Sequence, residues 1–216
     1  MSRKATASAS IDAADPEAGL SALLAEVRAC RLCAAELPLG PRPVLRAHPA
    51  ARLLIVGQAP GTKVHESGIP WNDNSGRRLR DWLQTDRGTF YDERRVAIVP
   101  MGFCYPGREE RGGDKPPRPE CAPAWHPRLQ AALPKVELTL LVGLYAQARY
   151  LGERRKANLT ETVRAWPDYL PAYLPLPHPS WRNTAWLKRN PWFETELLPA
   201  LRARVRALIQ RRSGRP

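Results

Sequence analysis

The stretch from Leu53 to Leu83, LLIVGQAPGTKVHESGIPWNDNSGRRLRDWL, decides the fold. It opens on a short apolar run and breaks into a long segment rich in Gly, Pro, Asn and Asp. It resumes as an amphipathic stretch with Leu79, Trp82 and Leu83 at helical spacing. That order predicts a strand, a loop and a helix. In an open α/β sheet the loop leaving the carboxyl end of a strand holds ligands, so chemistry is expected between Gly57 and Gly76. The loop offers backbone amides beside glycines, the aromatic plane of Trp71, and two carboxylates, Glu66 and Asp73. Only Asp73 sits beside the aromatic, flanked by Asn72 and Asn74. A flat apolar face next to an acid suits a planar ring and a developing positive charge.

Outward from this stretch, Val96 to Val99, Leu138 to Val142 and Tyr173 to Leu176 read as further short apolar strands. Helices are predicted between and around them. The first runs from Pro16 to Ala34, with Leu20, Leu23, Leu24, Val27 and Cys30 on one stripe, and would deliver Cys30 and Cys33 one turn apart. Others cover His126 to Leu133 and Tyr145 to Leu151. Leu159 to Trp166 has a period that fits a helix or an extended link. The last helix carries Phe193, Leu197, Leu201, Val205 and Leu208, with Asn190 and Pro191 as its cap and first turn. Strands alternating with helices predict a three-layer α/β/α sandwich around a central, mostly parallel four-stranded sheet. At 216 residues one core suffices. The expected organisation is a disordered start over 1–15, one domain over 16–210 and a basic tail over 211–216. Two long loops stand out, Pro100 to Pro119 and Pro177 to Asn190; the second reads PHPSWRNTAWLKRN.

Charge narrows the partners. Lys and Arg number 34 against 21 Asp and Glu, a net charge of +13 with a pI near 10.3. Such a surplus attracts polyanions by neutralising phosphates and releasing counterions, and nucleic acid comes first among them. No apolar run approaches the roughly 18 residues of a membrane span, and the N-terminus lacks a signal-peptide core, so a cytoplasmic protein with no membrane partner is expected. The four cysteines, Cys30, Cys33, Cys104 and Cys121, form a C-x2-C pair, a gap of 70 residues and a C-x16-C pair. In that compartment metal ligands or buried thiols are expected rather than disulfides. Zinc ribbons usually pair two tight C-x2-C knuckles, whereas four thiolates from separate segments suit an iron–sulfur cluster. Spacing alone leaves the cluster, zinc and unligated thiols all open.

Taken together, GQAPG at Gly57 to Gly61, GIPW at Gly68 to Trp71, HPS at His178 to Ser180 and the four cysteines resemble the uracil-DNA glycosylase superfamily. The likeness is to its iron–sulfur branch, family 4, whose first motif begins GEAPG and runs on to GxPF, and it covers roughly Cys30 to Trp192. It implies a monomeric hydrolase that removes uracil, or other deaminated bases, flipped out of DNA, leaving an abasic site in base excision repair. It also implies a [4Fe-4S] cluster on Cys30, Cys33, Cys104 and Cys121, with zinc as the alternative.

Two departures redirect the site. The family has Glu where this chain has Gln58, and Asn where it has Pro100, and those residues serve water activation and uracil recognition. The PWNDNSG loop instead resembles family 5, in which an acid in an FTGDxS setting carries catalysis, and HPSWRN resembles that family's third motif. Asp73 is therefore the expected catalytic carboxylate, unless it only caps the following helix. By the same resemblance His178 donates to a carbonyl of the leaving base, unless it is a buried histidine tying a loop together. Gln58 and Ala59 would grip the base, Trp71 would stack on it, and His65 would touch its edge. Ser180 would bind a phosphate, with Asn183 in the same substrate-binding set. Trp181 and Arg182 occupy the place of the family's wedge, and Lys188 and Arg189 would contact phosphates. Gly61 stands where thymine-excluding members have Tyr, which implies relaxed selectivity. The alternative from another class is a nucleic-acid-binding protein that keeps the fold without turnover.

Overall fold

The computed structural model describes residues 15–110 and 112–210, so the expected disordered start over 1–15 lies outside the described residues except for Asp15, and the basic tail over 211–216 lies outside them. At its centre are four strands, β1 (Leu53–Val56), β2 (Val96–Ile98), β3 (Leu138–Val142) and β4 (Tyr173–Leu176). They pair in the order β2-β1-β3-β4, and every pairing is parallel. Leu53 stands level with Val96 on one side and Leu138 on the other. The strands are continuous Val, Ile and Leu because a parallel sheet is covered on both faces. Side chains alternate across a strand, so Leu54 and Val56 enter one core and Leu53 and Ile55 the other.

The first core is closed by α1 (Pro16–Arg28), α5 (Cys121–Ala131) and α6 (Leu144–Leu151), the second by α3 (Asn74–Leu83) and α9 (Leu198–Gln210). This is the expected three-layer sandwich. From β1 the chain runs outward to β2, then crosses to β3 and β4 on the other side. The strand order therefore reverses between β1 and β3, where the loops at the carboxyl ends part to leave a crevice.

Several elements differ from expectation. Helix α1 begins as predicted, with Asp15 accepting the Glu17 and Ala18 N–H groups at 3.0 and 3.1 Å. It stops at Arg28, because the buried stripe of Leu20, Leu23, Leu24 and Val27 ends there. Cys30 and Cys33 consequently lie in the turns after it, ahead of a 3-10 turn over Ala34–Glu36. The first loop contains a short helix, α2 (Thr62–Ser67), closed by Gly68 at φ +68°. Asp86 caps α4 (Arg87–Tyr91), while α5 starts at Cys121 rather than His126. Leu159 to Arg164 resolves as helix α7, capped by the Asn158 side chain. Much of the Pro177 to Asn190 loop is also ordered, as a 3-10 turn over Trp181–Asn183 and α8 (Thr184–Arg189). Asn190 is not a side-chain cap. Its Oδ1 accepts the Trp192 indole N–H at 3.1 Å, and a π-helical turn over Phe193–Leu197 leads into α9.

One buried histidine ties α5 to the sheet. His126 has no exposed surface; its Nε2 meets the Pro100 carbonyl at 3.0 Å and its Nδ1 meets the Tyr150 hydroxyl at 2.9 Å. A carbonyl only accepts, so Nε2 carries the proton and Nδ1 takes the Tyr150 O–H. Burial holds the pKa down at about 4, against the opposing Pro100 bond and with help from the Arg149 charge. The unfolded chain binds this proton near 6.5 and the folded one only near 4. Stability is therefore full above pH 6.5 and falls as the pH drops through that window, by on the order of 3 kcal/mol. Urea denaturation at pH 7.0 and 4.5 should show this loss, and His126→Gln should remove most of the difference.

Candidate active site

A cavity of about 580 Å³ opens at the carboxyl ends of the strands, and both Asp73 and His178 line it. Its floor is the backbone that follows β1, including Gly57, Gln58, Ala59 and Gly61, and Trp71 forms part of its wall. The two residues of principal chemical interest come from loops after β1 and β4, brought together by the parallel sheet.

Trp71 is held in an unusual position. Its φ is +56°, a left-handed conformation that side chains other than Gly rarely adopt. Two glycines permit it. A Cβ on Gly57 would stand 2.7 Å from the indole ring, and one on Gly76 only 1.7 Å from the Trp71 carbonyl oxygen. Arg80 donates to that carbonyl at 3.3 Å, and the Tyr91 hydroxyl donates to the Pro70 carbonyl at 2.9 Å. The clamped indole lies 5.6 Å from the His178 ring, tilted by 33°. It offers a fixed apolar plane beside the imidazole.

Asp73 both caps a helix and faces the cavity. Its Oδ1 accepts the Gly76 N–H at 2.7 Å as N-cap of α3. Oδ2 has no hydrogen-bond partner among the described residues. His178 is pushed below the usual imidazole range by burial, with the negative charge of Asp73 pulling the other way. The ring is thus held neutral, able to donate through one nitrogen. Its loop is pinned by Asn183, whose side-chain amide donates to the His178 carbonyl at 2.7 Å.

The remaining predicted residues divide. Ser180, Trp181, Arg182 and Asn183 line the cavity, with Trp181 72% exposed. The Ser180 hydroxyl accepts the Arg182 N–H at 3.3 Å, and Arg78 donates to the Ser180 carbonyl at 3.0 Å. Gln58 donates from its side chain to the Lys115 carbonyl at 3.3 Å. Lys188 and Arg189, on α8, do not line the cavity. Nor does His65. Helix α2 turns it inward near Tyr105, with ring centroids 6.2 Å apart, and its buried Nδ1 has no partner among the described residues. Burial, reinforced by the Arg42 charge, lowers its pKa.

Among the lining residues that the sequence did not single out are Arg108 and Asp114, both from the loop after β2. The Asp114 carboxyl is pushed above the usual range by burial, opposed by Arg108 and Arg182 and assisted by Asp73. Their only sequence signal was a cluster of charges between glycines.

On another side of that loop all four cysteines line a second, small hollow of about 20 Å³, with Leu37, Pro41, Pro43 and Phe103 around it. The Phe103 N–H donates to the Cys121 sulfur at 3.4 Å. Burial pushes the Cys104 thiol up to about 11 and that of Cys121 up to about 12. Arg118 lines the same hollow, and its buried Nε has no partner among the described residues. Among the described residues no group of three or more His, Cys, Asp or Glu is arranged to hold a metal ion. Among the described residues no helix is long and apolar enough to cross a membrane.

A family model described as the Uracil DNA glycosylase superfamily matches residues 46–202. The match spans the cavity residues from Gln58 to Asn183 and includes Cys104 and Cys121, but begins after Cys30 and Cys33.

Proposed function

The chain belongs to the uracil DNA glycosylase superfamily, and on that premise we propose that it is a monofunctional glycosylase. It would hydrolyse the bond between deoxyribose and uracil, or another deaminated base, in DNA, working as a monomer. The observation that carries this is a carboxylate and a neutral imidazole, Asp73 and His178, on one cavity beside a fixed aromatic plane.

The base must leave the stack before any side chain can reach it, at an unstacking cost of about a few kcal/mol. Contacts from cations such as Arg182 to the backbone phosphates offset that cost, and Trp181 at the exposed mouth suits insertion into the gap. Trp71 then stacks on the extruded ring. As the carbon–nitrogen bond breaks, positive charge builds on the sugar and the bonding pair leaves with the base. Asp73, with Oδ2 uncommitted, stabilises the cation and orients the water whose oxygen joins the sugar carbon. His178 donates an N–H to a base carbonyl as negative charge develops there; held in place beforehand, such a donor contributes about 3 kcal/mol.

The four cysteines would hold an iron–sulfur cluster. All four line one hollow, and the orphaned Arg118 N–H there would find an acceptor in a sulfide or thiolate. A cluster can supply electron-transfer chemistry, but glycosidic hydrolysis needs none, and the role proposed is to fasten the turns after α1 to the loop after β2.

Protein purified without oxygen should release uracil from a single-uracil oligonucleotide and carry about four iron and four sulfide per chain. Intact protein that releases no base from single- or double-stranded DNA would refute the enzyme reading; one zinc per chain would refute the cluster. The second reading, DNA binding without turnover, is favoured by Gln58 and Pro100 where the resembled family has Glu and Asn.

A further inference from the structure

Between β2 and α5 the chain folds back as a small hairpin that was not foreseen. Arg108 pairs antiparallel with Asp114, the Lys115 N–H donates to the Gly107 carbonyl at 2.9 Å, and the Glu109 N–H donates to that of Gly113 at 2.9 Å. Gly107, Gly112 and Gly113 take positive φ of 97°, 84° and 106°, which lets the turn close so tightly. The hairpin carries Arg108 and Asp114 to the cavity. A Cβ on Gly61 would stand 3.3 Å from Asp114 Oδ2, so the space beside this glycine is bordered by a carboxyl group. Arg182 approaches from the opposite loop, its guanidinium 3.3 Å from where a Cβ on Gly113 would be.

Arg108 and Arg182 both act on the Asp114 charge, yet among the described residues no ion pair within 4.0 Å joins either to it. An acceptor and a donor therefore stand side by side uncommitted. A carboxylate only accepts and a guanidinium only donates. Set next to each other they complement an edge that shows an N–H beside a C=O. Uracil, hypoxanthine and xanthine all present that edge, as do thymine and guanine; cytosine and adenine, the parents of uracil and hypoxanthine, present its reverse, a bare ring nitrogen beside an amino group.

We propose that Asp114 and Arg108 read the carbonyl and N–H edge shared by deaminated pyrimidines and purines, taking over the recognition that Pro100 cannot provide. This rests on the glycosylase reading and specifies its substrate class. A cavity of about 580 Å³ admits one ring or two. Selection against cytosine and adenine comes from the edge rather than the outline, because Gly61 contributes no side chain to narrow the space.

The test uses single-stranded oligonucleotides with one deoxyuridine or one 3-methyldeoxyuridine, in which a methyl group replaces the N–H. Binding is followed by fluorescence anisotropy with Asp73→Asn protein, so that nothing is cleaved. Uracil should bind at least about tenfold tighter than its methylated counterpart, the size of one well-placed hydrogen-bonded pair. Adding Asp114→Ala should shrink that preference to about twofold or less, while Asp114→Asn, which keeps an acceptor oxygen, should retain most of it. A preference that is absent at the outset, that survives Asp114→Ala, or that Asn and Ala abolish alike would overturn the proposal. Turnover with Asp73 intact is measured in parallel. Uracil release without the edge preference would leave the glycosylase reading standing and remove the reader, and the preference without release would do the reverse.

Discussion

Replacing Asp73 with Asn should slow uracil release by about a thousandfold or more while leaving the fold and DNA affinity nearly unchanged. The substitution is discriminating because Asp73 has two tasks that Asn serves unequally. As N-cap of α3 it accepts the Gly76 N–H at 2.7 Å, and an Asn oxygen accepts that bond as well as a carboxylate does. Facing the cavity it supplies a negative charge opposite His178, and Asn supplies none. Single-turnover kinetics on a uracil oligonucleotide, with thermal unfolding and anisotropy alongside, separates the two. Activity within about fivefold of the wild type would reduce Asp73 to its capping role, and with it the case for an enzyme.

The second large effect is structural in origin. Gly76→Ala should destabilise the protein by about 3 kcal/mol or more and remove the stacking plane. Helix propensity argues the opposite, since Ala is favoured over Gly inside a helix by about 1 kcal/mol. Space decides against propensity. The added Cβ would lie 1.7 Å from the Trp71 carbonyl oxygen, a backbone atom that cannot swing away. Either α3 shifts or Trp71 leaves its left-handed conformation and the indole tilts off the cavity wall. Calorimetry should show a fall in Tm of about 6–12 °C for a domain of this size. A variant that melts with the wild type and keeps its activity would show that the turn relaxes freely. Gly57→Ala is a milder companion, because the atom it meets at 2.7 Å is the outer edge of a ring.

The sheet was legible because each strand is a short unbroken apolar run bounded by turn residues, and all four fall within a residue of the expected bounds. Helix ends were less legible. Val27 is the last buried member of its stripe, and the continuation through Cys30 followed a helical spacing that the chain abandons after Arg28. Helix α2 is too short for a period to declare itself, and without it the inward turn of His65 could not be read. Asp73, His178 and Trp71 were accessible because they sit beside motifs with a recognisable order. Asp114 and Arg108 were hidden because their loop shows only charge, glycine and proline, and it is long-range pairing that brings them to the cavity.

The bond from Gln58 to the Lys115 carbonyl bears on how this lineage could change. An amide can serve that carbonyl, whereas a glutamate would set two oxygens against each other and add a charge beside Asp114. Pro100, for its part, lends its carbonyl to His126. Positions 58 and 114 are therefore coupled through the backbone carbonyl of Lys115, next to Asp114. A glutamate at position 58 would be poorly braced unless the hairpin carrying Asp114 changed with it, which favours keeping these two positions as a unit.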